Sequence, residues 1–334
     1  MKALLMTGYG PLTDKLKFAE ITVPHVGPND VLIEVHAASL NPIDYKIVQG
    51  GLKRIEKRRF PSALGFDVSG VVLAVGNNVS RFKIRDEVYA RAPRERIGTF
   101  AEQTAIDERY VAIKPQGFSH LEAASIPLVG LTTVQALVDR AQAKRGQSVL
   151  IHAGSGGVGT FAIQYAKVLG LQVTTTASSK NAAWVQALGA EEVICYDREN
   201  YLDRGTTYDI VYDTLGQNYT TDAFKVVKHG GVVVSIAGGP DKQLAAQVNA
   251  GWFLRLAMNL MSRHVYVLAE RAGAAYHRFL TTSNGAQLAD LAALIAAGKI
   301  KAVIDTVYPF AQIIEAMTYA AAGRVKGKVV VQMK

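Results

Sequence analysis

The spacing of hydrophobic and polar residues changes near residue 118. Up to that point, short apolar runs are separated by turn sequences such as Gly27-Pro28-Asn29-Asp30. Short runs bounded by Gly, Pro, Asn and Asp are typical of β-strands. They predict strands at residues 31–35, 68–75, 87–90 and 110–113. We therefore expect the first part of the chain to form a mostly β structure, a barrel or a sandwich.

A capping-box sequence, Ser119-His120-Leu121-Glu122, marks the change to a second pattern. From here apolar runs alternate with helical stretches, as buried parallel strands and their crossover helices do. The predicted helices cover residues 158–169, 181–188 and 219–228, and the predicted strands cover 149–153, 172–176, 192–196, 209–214, 232–237 and 265–269. This order predicts an α/β fold with a doubly wound parallel sheet. Farther on, the pattern predicts helices at residues 286–297 and 310–321 and a strand at 328–332.

Composition identifies a globular chain. Of 334 residues, 49% are apolar and 19% are charged, which excludes a disordered chain. No uninterrupted run of about 18 apolar residues is present, so we expect no membrane span. The single cysteine, Cys195, and an N-terminus without a signal-peptide pattern favour a cytoplasmic protein.

The formal net charge of +9 raises the question of a polyanionic partner. One dense basic cluster is present, and it consists of Lys53, Arg54, Lys57, Arg58 and Arg59. No aromatic residues are interleaved with these charges in the way that nucleic-acid surfaces require. We interpret the cluster as a solvated loop and expect no nucleic-acid partner.

A glycine-rich loop follows the first strand of the second pattern. Residues 154–159, Gly154-Ser155-Gly156-Gly157-Val158-Gly159, match G-x-G-x-x-G directly after an apolar strand and at the start of a helix. In that context the glycines allow a tight turn, a close approach to a pyrophosphate and close packing of helix on strand. Unpaired N–H groups and the helix dipole favour an anion there. We predict that Ser155, Gly156, Gly157 and Val158 bind a dinucleotide, although glycine-rich turns without a ligand also exist.

The second strand bears on which dinucleotide binds. An NAD site usually carries an Asp or Glu at the end of this strand, about 20 residues after the glycine loop. Here the segment reads Thr174-Thr175-Thr176-Ala177-Ser178-Ser179-Lys180, without an acid. Hydroxyls and an ammonium suit a 2′-phosphate, so Ser178 and Lys180 predict NADPH. Ser178 or Ser179 could also cap the following helix, and both roles can coexist.

Several segments together resemble the medium-chain dehydrogenase/reductase superfamily, and within it the zinc-independent quinone oxidoreductase and enone (2-alkenal) reductase branch. They are the glycine loop and the sequences ASLNPIDYK (38–46), LGFDVSG (64–70), LVGLTT (128–133) and GRVKGK (323–328). The resemblance covers essentially the whole chain. It implies a β-rich GroES-like catalytic domain in residues 1–122, a dinucleotide-binding Rossmann domain in 123–270 and a return to the catalytic domain in 271–334. It also implies NADPH and substrate in the cleft between the domains, and a homodimer formed through a last strand at 265–269.

Two positions separate the chain from the zinc-dependent relatives. Their zinc takes a Cys where this chain has Asn41, and their Gly-His-Glu segment here reads Gly65-Phe66-Asp67. Phe66 cannot bind a metal, and the seven histidines lack paired ligand spacing, so we expect no metal site. Without a Lewis acid, alcohol dehydrogenation loses its main catalyst. Conjugate reduction of an activated double bond needs less polarisation, because charge develops on an enolate or phenolate oxygen.

The resemblance also implies roles for individual residues. Asn41 is expected to contact the nicotinamide ribose or the substrate, with an Asx turn before Pro42 as the alternative. Tyr45 is a candidate proton donor or oxygen-stabilising group, or simply a packed aromatic. Further cofactor contacts, each with a purely structural alternative, are expected from Thr132 near the nicotinamide, Tyr196 near the 2′-phosphate and Lys328 from the tail.

Three classes of function remain open at this point. The first is a zinc-independent NADPH-dependent reductase of α,β-unsaturated carbonyls, with quinones as alternative acceptors. The second is a non-catalytic NADPH-binding protein. The third is a nucleic-acid binder that uses the basic cluster, which a salt-independent binding response would exclude. The residues favour the first class.

Overall fold

The computed structural model of the protein describes residues 1–53 and 58–334, so Arg54 and Lys57 of the basic cluster lie outside the described residues. The strands are β1 (Lys2–Met6), β2 (Leu16–Glu20), β3 (Asp30–Ser39), β4 (Ser62–Ala63), β5 (Asp67–Val75), β6 (Glu87–Arg91), β7 (Gln103–Asp107), β8 (Val111–Ile113), β9 (Ser148–Ile151), β10 (Gln172–Ala177), β11 (Glu192–Cys195), β12 (Tyr208–Asp213), β13 (Val227–Ser235), β14 (Ala275–Arg278), β15 (Ile304–Pro309) and β16 (Lys328–Gln332).

The α-helices are α1 (Leu12–Lys15), α2 (Pro42–Val48), α3 (His120–Ala124), α4 (Pro127–Val134), α5 (Gly157–Val168), α6 (Ser179–Ala187), α7 (Asn218–Val226), α8 (Lys242–Gln247), α9 (Trp252–Ala272), α10 (Gly285–Ala296) and α11 (Ile313–Ala321). Short 3-10 turns cover Arg94–Arg96, Glu108–Tyr110, Tyr201–Arg204 and Phe310–Gln312, and a π turn covers Gln135–Arg140.

The chain divides into two compact units. The first unit combines Met1–Leu131 with Thr282–Lys334, and the second is the continuous segment Thr132–Thr281. The family resemblance implies a return of the last segment as well, but with boundaries after residues 122 and 270, both earlier in the chain than these.

The first unit is built on a mixed sheet with the strand order β15-β16-β3-β5-β6-β8, and β7 also pairs with β3. Its central strand β3 is long and almost entirely buried, because apolar side chains cover both of its faces. The core also takes in Phe310, Ile313 and Val329 from the returning segment. A smaller sheet has the order β2-β1-β4. This is the predicted β-rich, GroES-like unit.

The second unit contains a parallel sheet with the order β11-β10-β9-β12-β13-β14. Counted from its first strand, this is the order 3-2-1-4-5-6 of the doubly wound dinucleotide-binding fold. Val149, Leu150 and Ile151 of the first strand are fully buried, as the continuous apolar run predicts. The predicted fold class is confirmed. The chain order changes direction at β9 and β12, where such folds bind their ligands.

One predicted strand is wrong. Residues 265–269 lie within α9, whose bounds are Trp252–Ala272, and the last strand of the sheet is β14 instead. The segment is rich in residues that favour strands, but Val265, Leu268 and Ala269 pack against one apolar cluster at helical spacing. Tertiary packing therefore overrides local propensity in this segment.

Side chains of α8 cover part of the backbone of β14. The amide of Gln243 donates to the carbonyl of Tyr276 at 2.7 Å and accepts from the N–H of Arg278 at 3.3 Å. Gln247, one turn later, accepts from the N–H of Leu280 at 2.8 Å and donates to its carbonyl. These backbone groups are already paired within the chain, so they are not available to a further strand.

No helix in the two described ranges is long and apolar enough to cross a lipid bilayer.

Candidate active site

The glycine loop lies where the sequence places it, between β9 and α5. Ala153 adopts a positive φ of 53°, and its N–H donates to Oγ1 of Thr176 at 3.0 Å. The N–H of Gly154 donates to the carbonyl of Thr176 at 2.8 Å. The loop is thus held against the end of the second strand, and Gly156 caps the helix that follows.

The three motif glycines, Gly154, Gly156 and Gly159, differ in how much space surrounds them. A Cβ on Gly159 would lie 2.2 Å from the carbonyl oxygen of Ala153, and one on Gly154 would lie 2.3 Å from Oγ1 of Thr175. A Cβ on Gly156 would meet only the carbonyl oxygen of Ala153, at 3.4 Å, which is an ordinary contact. The packing of the chain requires the first and third glycines but not the second. The second glycine instead leaves backbone open beside the first N–H groups of α5, so the loop fits a pyrophosphate.

The region of the predicted 2′-phosphate lies at the ends of β10 and β11. Ser178 is buried at the N-cap position of α6, and its Oγ has no hydrogen-bond partner among the described residues. It therefore does not act as a side-chain cap, and a buried donor remains for a ligand. Lys180 is exposed in the first turn of α6. Tyr196 follows β11 directly, donates its N–H to the carbonyl of Ala177 at 3.1 Å and exposes 62% of its surface.

Two polar groups that the sequence does not single out belong to the same region. Asp197 accepts from the N–H of Ser179 at 2.9 Å and from its Oγ at 2.7 Å, and the bonds to Ser179 lower the pKa of this carboxyl. Oδ1 of Asn181 is buried without a partner among the described residues. The register of β10 with β11 brings Asp197 to Ser179, so the segment 174–180 alone does not reveal this acid.

A buried polar cluster lies at the ends of β9 and β12. Asp213 accepts from the N–H of Gly216 at 2.8 Å and from the hydroxyls of Thr220 at 2.5 Å and Ser235 at 2.7 Å. Burial opposes ionisation, but His152, together with the hydrogen bonds from Thr220, Ser235 and Gly216, lowers the pKa of Asp213 to about 2. Nδ1 of the fully buried His152, the residue before the glycine loop, lies 3.7 Å from the carboxylate. The cluster fixes the backbone at the point where the strand order changes direction.

Thr132, the predicted nicotinamide contact, lies inside α4 and not at its end, so the alternative of a helix cap is wrong. Its hydroxyl lies 2.6 Å from the hydroxyl of Thr281, and its carbonyl accepts from Tyr212 at 3.4 Å.

In the first unit, Asn41 is the centre of a buried network. It is 2% exposed, and its Nδ2 donates to Oδ2 of Asp67 at 2.8 Å. Its Oδ1 accepts a hydrogen bond from Nζ of Lys328. Asn41 is also the N-cap residue of α2, where it forms a capping box with Asp44. Asp67 also accepts from Oγ of Ser39 at 3.0 Å and from the N–H of Leu128 at 2.9 Å.

Lys328 is not a solvated charge, which was the alternative to a role at the cofactor. It is 5% exposed, and its Nζ lies 3.0 Å from the carbonyl oxygen of Leu40 and 3.4 Å from Oδ2 of Asp67, in addition to its bond with Asn41. Three acceptors match the three protons of the ammonium. Burial lowers the pKa of Lys328, and Asp67 opposes that shift.

The two positions that correspond to zinc ligands have protein cations as neighbours. The guanidinium of Arg91 lies 4.8 Å from the ring centroid of Phe66, and its Nη1 donates to Oγ of Ser283 at 2.8 Å. Burial lowers the pKa of Arg91 to about 10. Because Lys328 is bound to Asn41 and Arg91 lies over Phe66, each of the two positions has a cationic side chain beside it. The described residues contain no group of three His, Cys, Asp or Glu that could hold a metal.

Tyr45 lies one turn into α2, half-buried and packed against the apolar core. Burial, with a smaller contribution from Asp44, raises the pKa of its hydroxyl, so the phenol keeps its proton at neutral pH. Asp44 accepts from the N–H of Asn41 at 2.8 Å and so fixes the start of the helix that carries Tyr45.

The comparisons with known proteins agree with this architecture. Residues 27–116 match the family model of the alcohol dehydrogenase GroES-like domain, and residues 188–331 match that of zinc-binding dehydrogenases. The chain is 36% identical to a 2-methylene-furan-3-one reductase of Solanum lycopersicum and also 36% identical to a chloroplastic NADPH-dependent alkenal/one oxidoreductase of Arabidopsis thaliana; each alignment covers 99% of this chain and 79% of the relative.

Among solved structures, the quinone oxidoreductase from Coxiella burnetii superposes with a TM-score of 0.87 at 33% identity, over 100% of this chain and 99% of the other. The order of the second unit's sheet, its glycine loop and these full-length similarities lead to one conclusion. The chain belongs to the medium-chain dehydrogenase/reductase superfamily, in the branch of the NAD(P)-dependent quinone and enone oxidoreductases.

Proposed function

We propose that the protein reduces the activated C=C bond of α,β-unsaturated carbonyl compounds, with NADPH as the hydride donor and without zinc. When bound, NADPH supplies the hydride to the β-carbon of the substrate. The similarity to relatives named for alkenal, enone and furanone reduction supports this substrate class.

The observation that carries the proposal is the buried Asn41–Asp67–Lys328 network. At the position of a zinc ligand, the amide of Asn41 is bound to a carboxylate and to an ammonium. These contacts leave no set of metal ligands to polarise a saturated ketone or alcohol. A conjugated acceptor is the better match, because its negative charge develops on an enolate oxygen that one hydrogen-bond donor can stabilise.

We assign distinct tasks to the residues of the first unit. Asn41 and Lys328 form hydrogen bonds with each other and with Asp67. They therefore act as positioning residues for the start of α2. The phenol of Tyr45, protonated at neutral pH, is the candidate donor to the enolate. A Tyr45→Phe variant with unchanged turnover would remove that role and leave the reaction class standing.

The decisive assay follows NADPH oxidation with a matched enone, quinone and saturated ketone, and identifies the products. We expect reduction of the enone to the saturated carbonyl and poor turnover of the saturated ketone. Equal rates on enone and saturated ketone, or an allylic alcohol as the product, would overturn the proposal. Elemental analysis for zinc and a chelator control belong to the same assay, and we expect neither bound zinc nor loss of activity.

We further propose that NADPH is preferred to NADH through Ser178 and Lys180. At the start of α6 lie the Oγ of Ser178, which has no hydrogen-bond partner within residues 1–53 and 58–334, and the exposed ammonium of Lys180. Charge-assisted hydrogen bonds contribute roughly 1.5–3 kcal/mol each, so the preference should be at least about tenfold.

Lys180→Ala should weaken NADPH and leave NADH nearly unchanged. Lys144→Ala is the matched control, because this exposed lysine precedes β9, at the end of the strands opposite to the one that carries Ser178 and Lys180, and should change neither affinity. Equal loss for both cofactors in Lys180→Ala would show that Lys180 does not contact the phosphate.

Quinone reduction is the second candidate, and the similarity to the Coxiella burnetii quinone oxidoreductase favours it. A non-catalytic NADPH-binding role is the third, and turnover of any acceptor in the assay would exclude it.

The cytoplasmic location and the homodimer stay predictions. A dimer formed by extension of the sheet at β14 would have to displace Gln243 and Gln247 from the backbone groups that they bind.

A further inference from the structure

The N-terminal half of α9 exposes an unusual amount of apolar surface. Trp252 is 78% exposed, Phe253 71% and Leu260 63%, and Leu256 and Met261 are exposed as well. Trp252, Leu256 and Leu260 are spaced by four residues and therefore form one ridge along the helix. A contiguous patch of this kind on a water-soluble surface marks a site for a partner or a membrane.

The other face of the same helix shows that the ridge points away from the unit. Met258, Ser262 and Ala269 are buried, at positions opposite to the ridge. Farther along, Val265, Leu268 and Ala272 pack against the cluster that contains Tyr276. The helix is anchored through its C-terminal half, while the first turns present apolar side chains on the outside as well.

The charges around the ridge select among possible partners. From Lys242 to Ala269 the sequence contains no Asp or Glu, whereas Arg255, Arg263 and His264 are exposed beside the apolar side chains. A second copy of this chain, docked on the same face about a two-fold axis, would bring identical basic helices together, with no carboxylate contributed by residues 242–269. An anionic surface would be complementary to the same charges.

We propose that the first turns of α9 dock the protein on the surface of an anionic lipid bilayer. An amphipathic helix with Trp, Phe and Leu on one face and arginine at its flanks is suited to lie in the plane of the headgroups. Tryptophan, the residue at position 252, is enriched at membrane–water interfaces. The helix would lie on the bilayer and not cross it.

The test uses the whole protein and vesicles of phosphatidylcholine alone or mixed with phosphatidylserine. The chain has two tryptophans, so Trp184→Phe leaves Trp252 as the single tryptophan, whose emission is distinguished from that of the tyrosines by its longer wavelength. We expect cosedimentation with the mixed vesicles, a blue shift of Trp252 emission on binding, and weaker binding as salt is added. Binding should be much weaker to phosphatidylcholine alone.

Two variants separate the apolar and the charged contributions. The triple variant Trp252→Ser, Leu256→Ser, Leu260→Ser should abolish binding. The variant Arg255→Gln, Arg263→Gln should weaken binding to the mixed vesicles about fivefold for each arginine removed. Ile84→Ser, which removes a single exposed apolar side chain in the first unit, is the control and should bind as the unsubstituted protein does.

Several outcomes would overturn the proposal. They are the absence of cosedimentation, an unshifted emission of Trp252, and equal binding by the arginine variant. A further one is a stable dimer without vesicle binding that the triple variant converts to a monomer, because the ridge would then be a contact between two copies of the chain. Thermal unfolding of each variant checks that these exposed substitutions leave the fold intact.

Discussion

The ammonium of Lys328 compensates the carboxylate of Asp67 in a place that water does not reach. Removing one partner of a buried ion pair leaves an unpaired charge, which costs about 3–5 kcal/mol. Lys328→Met should therefore lower the free energy of unfolding by that amount, measured by urea denaturation. Lys326→Met, an exposed neighbour, should leave it unchanged. Adding Asp67→Asn to Lys328→Met should recover much of the loss, and no recovery would mean that the two charges do not interact.

Asp44 couples the stability of the first unit to pH. Burial, with Asp67 nearby, raises the pKa of Asp44 to about 8. The folded chain therefore keeps a proton that the unfolded chain loses near pH 4, at about the usual pKa of an aspartate. The stabilisation is fully present below that pH and is lost as the pH rises towards 8.

Asp44→Asn should remove this contribution, so that the free energy of unfolding varies less with pH across the same interval. Denaturant titrations at a series of pH values measure the difference. Asp14→Asn, at an exposed position, is the control. Parallel pH profiles for Asp44→Asn and the unsubstituted protein would mean that Asp44 is already ionised in the folded state.

Asp197 places a negative charge beside the serine and lysine that we assign to the 2′-phosphate. Asp197→Asn should therefore raise the affinity for NADPH severalfold and change that for NADH little, as measured by cofactor titration. The variant retains an amide that can still bond to Ser179. If NADPH affinity falls instead, the carboxylate holds Ser179 and the start of α6 in place, and that role outweighs its repulsion of the phosphate.

At the scale of elements, sequence periodicity predicts those structures whose contacts are local. The glycine loop, α5 and the capping box at Ser119 lie where the pattern places them, since the residues that define each are neighbours in sequence. The strand predicted at 265–269 is wrong because tertiary packing holds these strand-favouring residues within α9, the helix that begins at Trp252. The Asn41–Lys328 contact joins residues 287 positions apart, which no local pattern can reveal.

The contacts of α8 with the backbone at β14 lead to a separate prediction about this edge of the sheet. Gln243→Ala with Gln247→Ala frees backbone groups of residues 276, 278 and 280, and exposed strand edges promote pairing between chains. We expect faster hydrogen exchange at the amides of Arg278 and Leu280, and concentration-dependent self-association in sedimentation experiments. Gln186→Ala, on α6, is the control. Unchanged exchange at both amides would show that the glutamine side chains do not protect them.

At the scale of the whole molecule, the first unit is discontinuous and the second is not. A chain that ends at Thr281 lacks β16, which pairs with β3, and it lacks the ammonium that compensates Asp67. Limited proteolysis of this truncated chain should cut residues 1–131 rapidly and leave residues 132–281 resistant. Equal resistance of both segments would show that the first unit folds without its returning strands.

The route by which Lys328 reaches Asn41 has a consequence for synthesis on the ribosome. The whole of the second unit is translated between the two halves of the first. Until translation reaches β16, the early half cannot complete its sheet beside β3, and Asp67 lacks the ammonium of Lys328. The dinucleotide-binding unit can fold during that interval, since domains generally fold as units while the chain grows. We therefore expect the early half to be the segment that needs chaperones during translation, for as long as translation of the inserted unit takes.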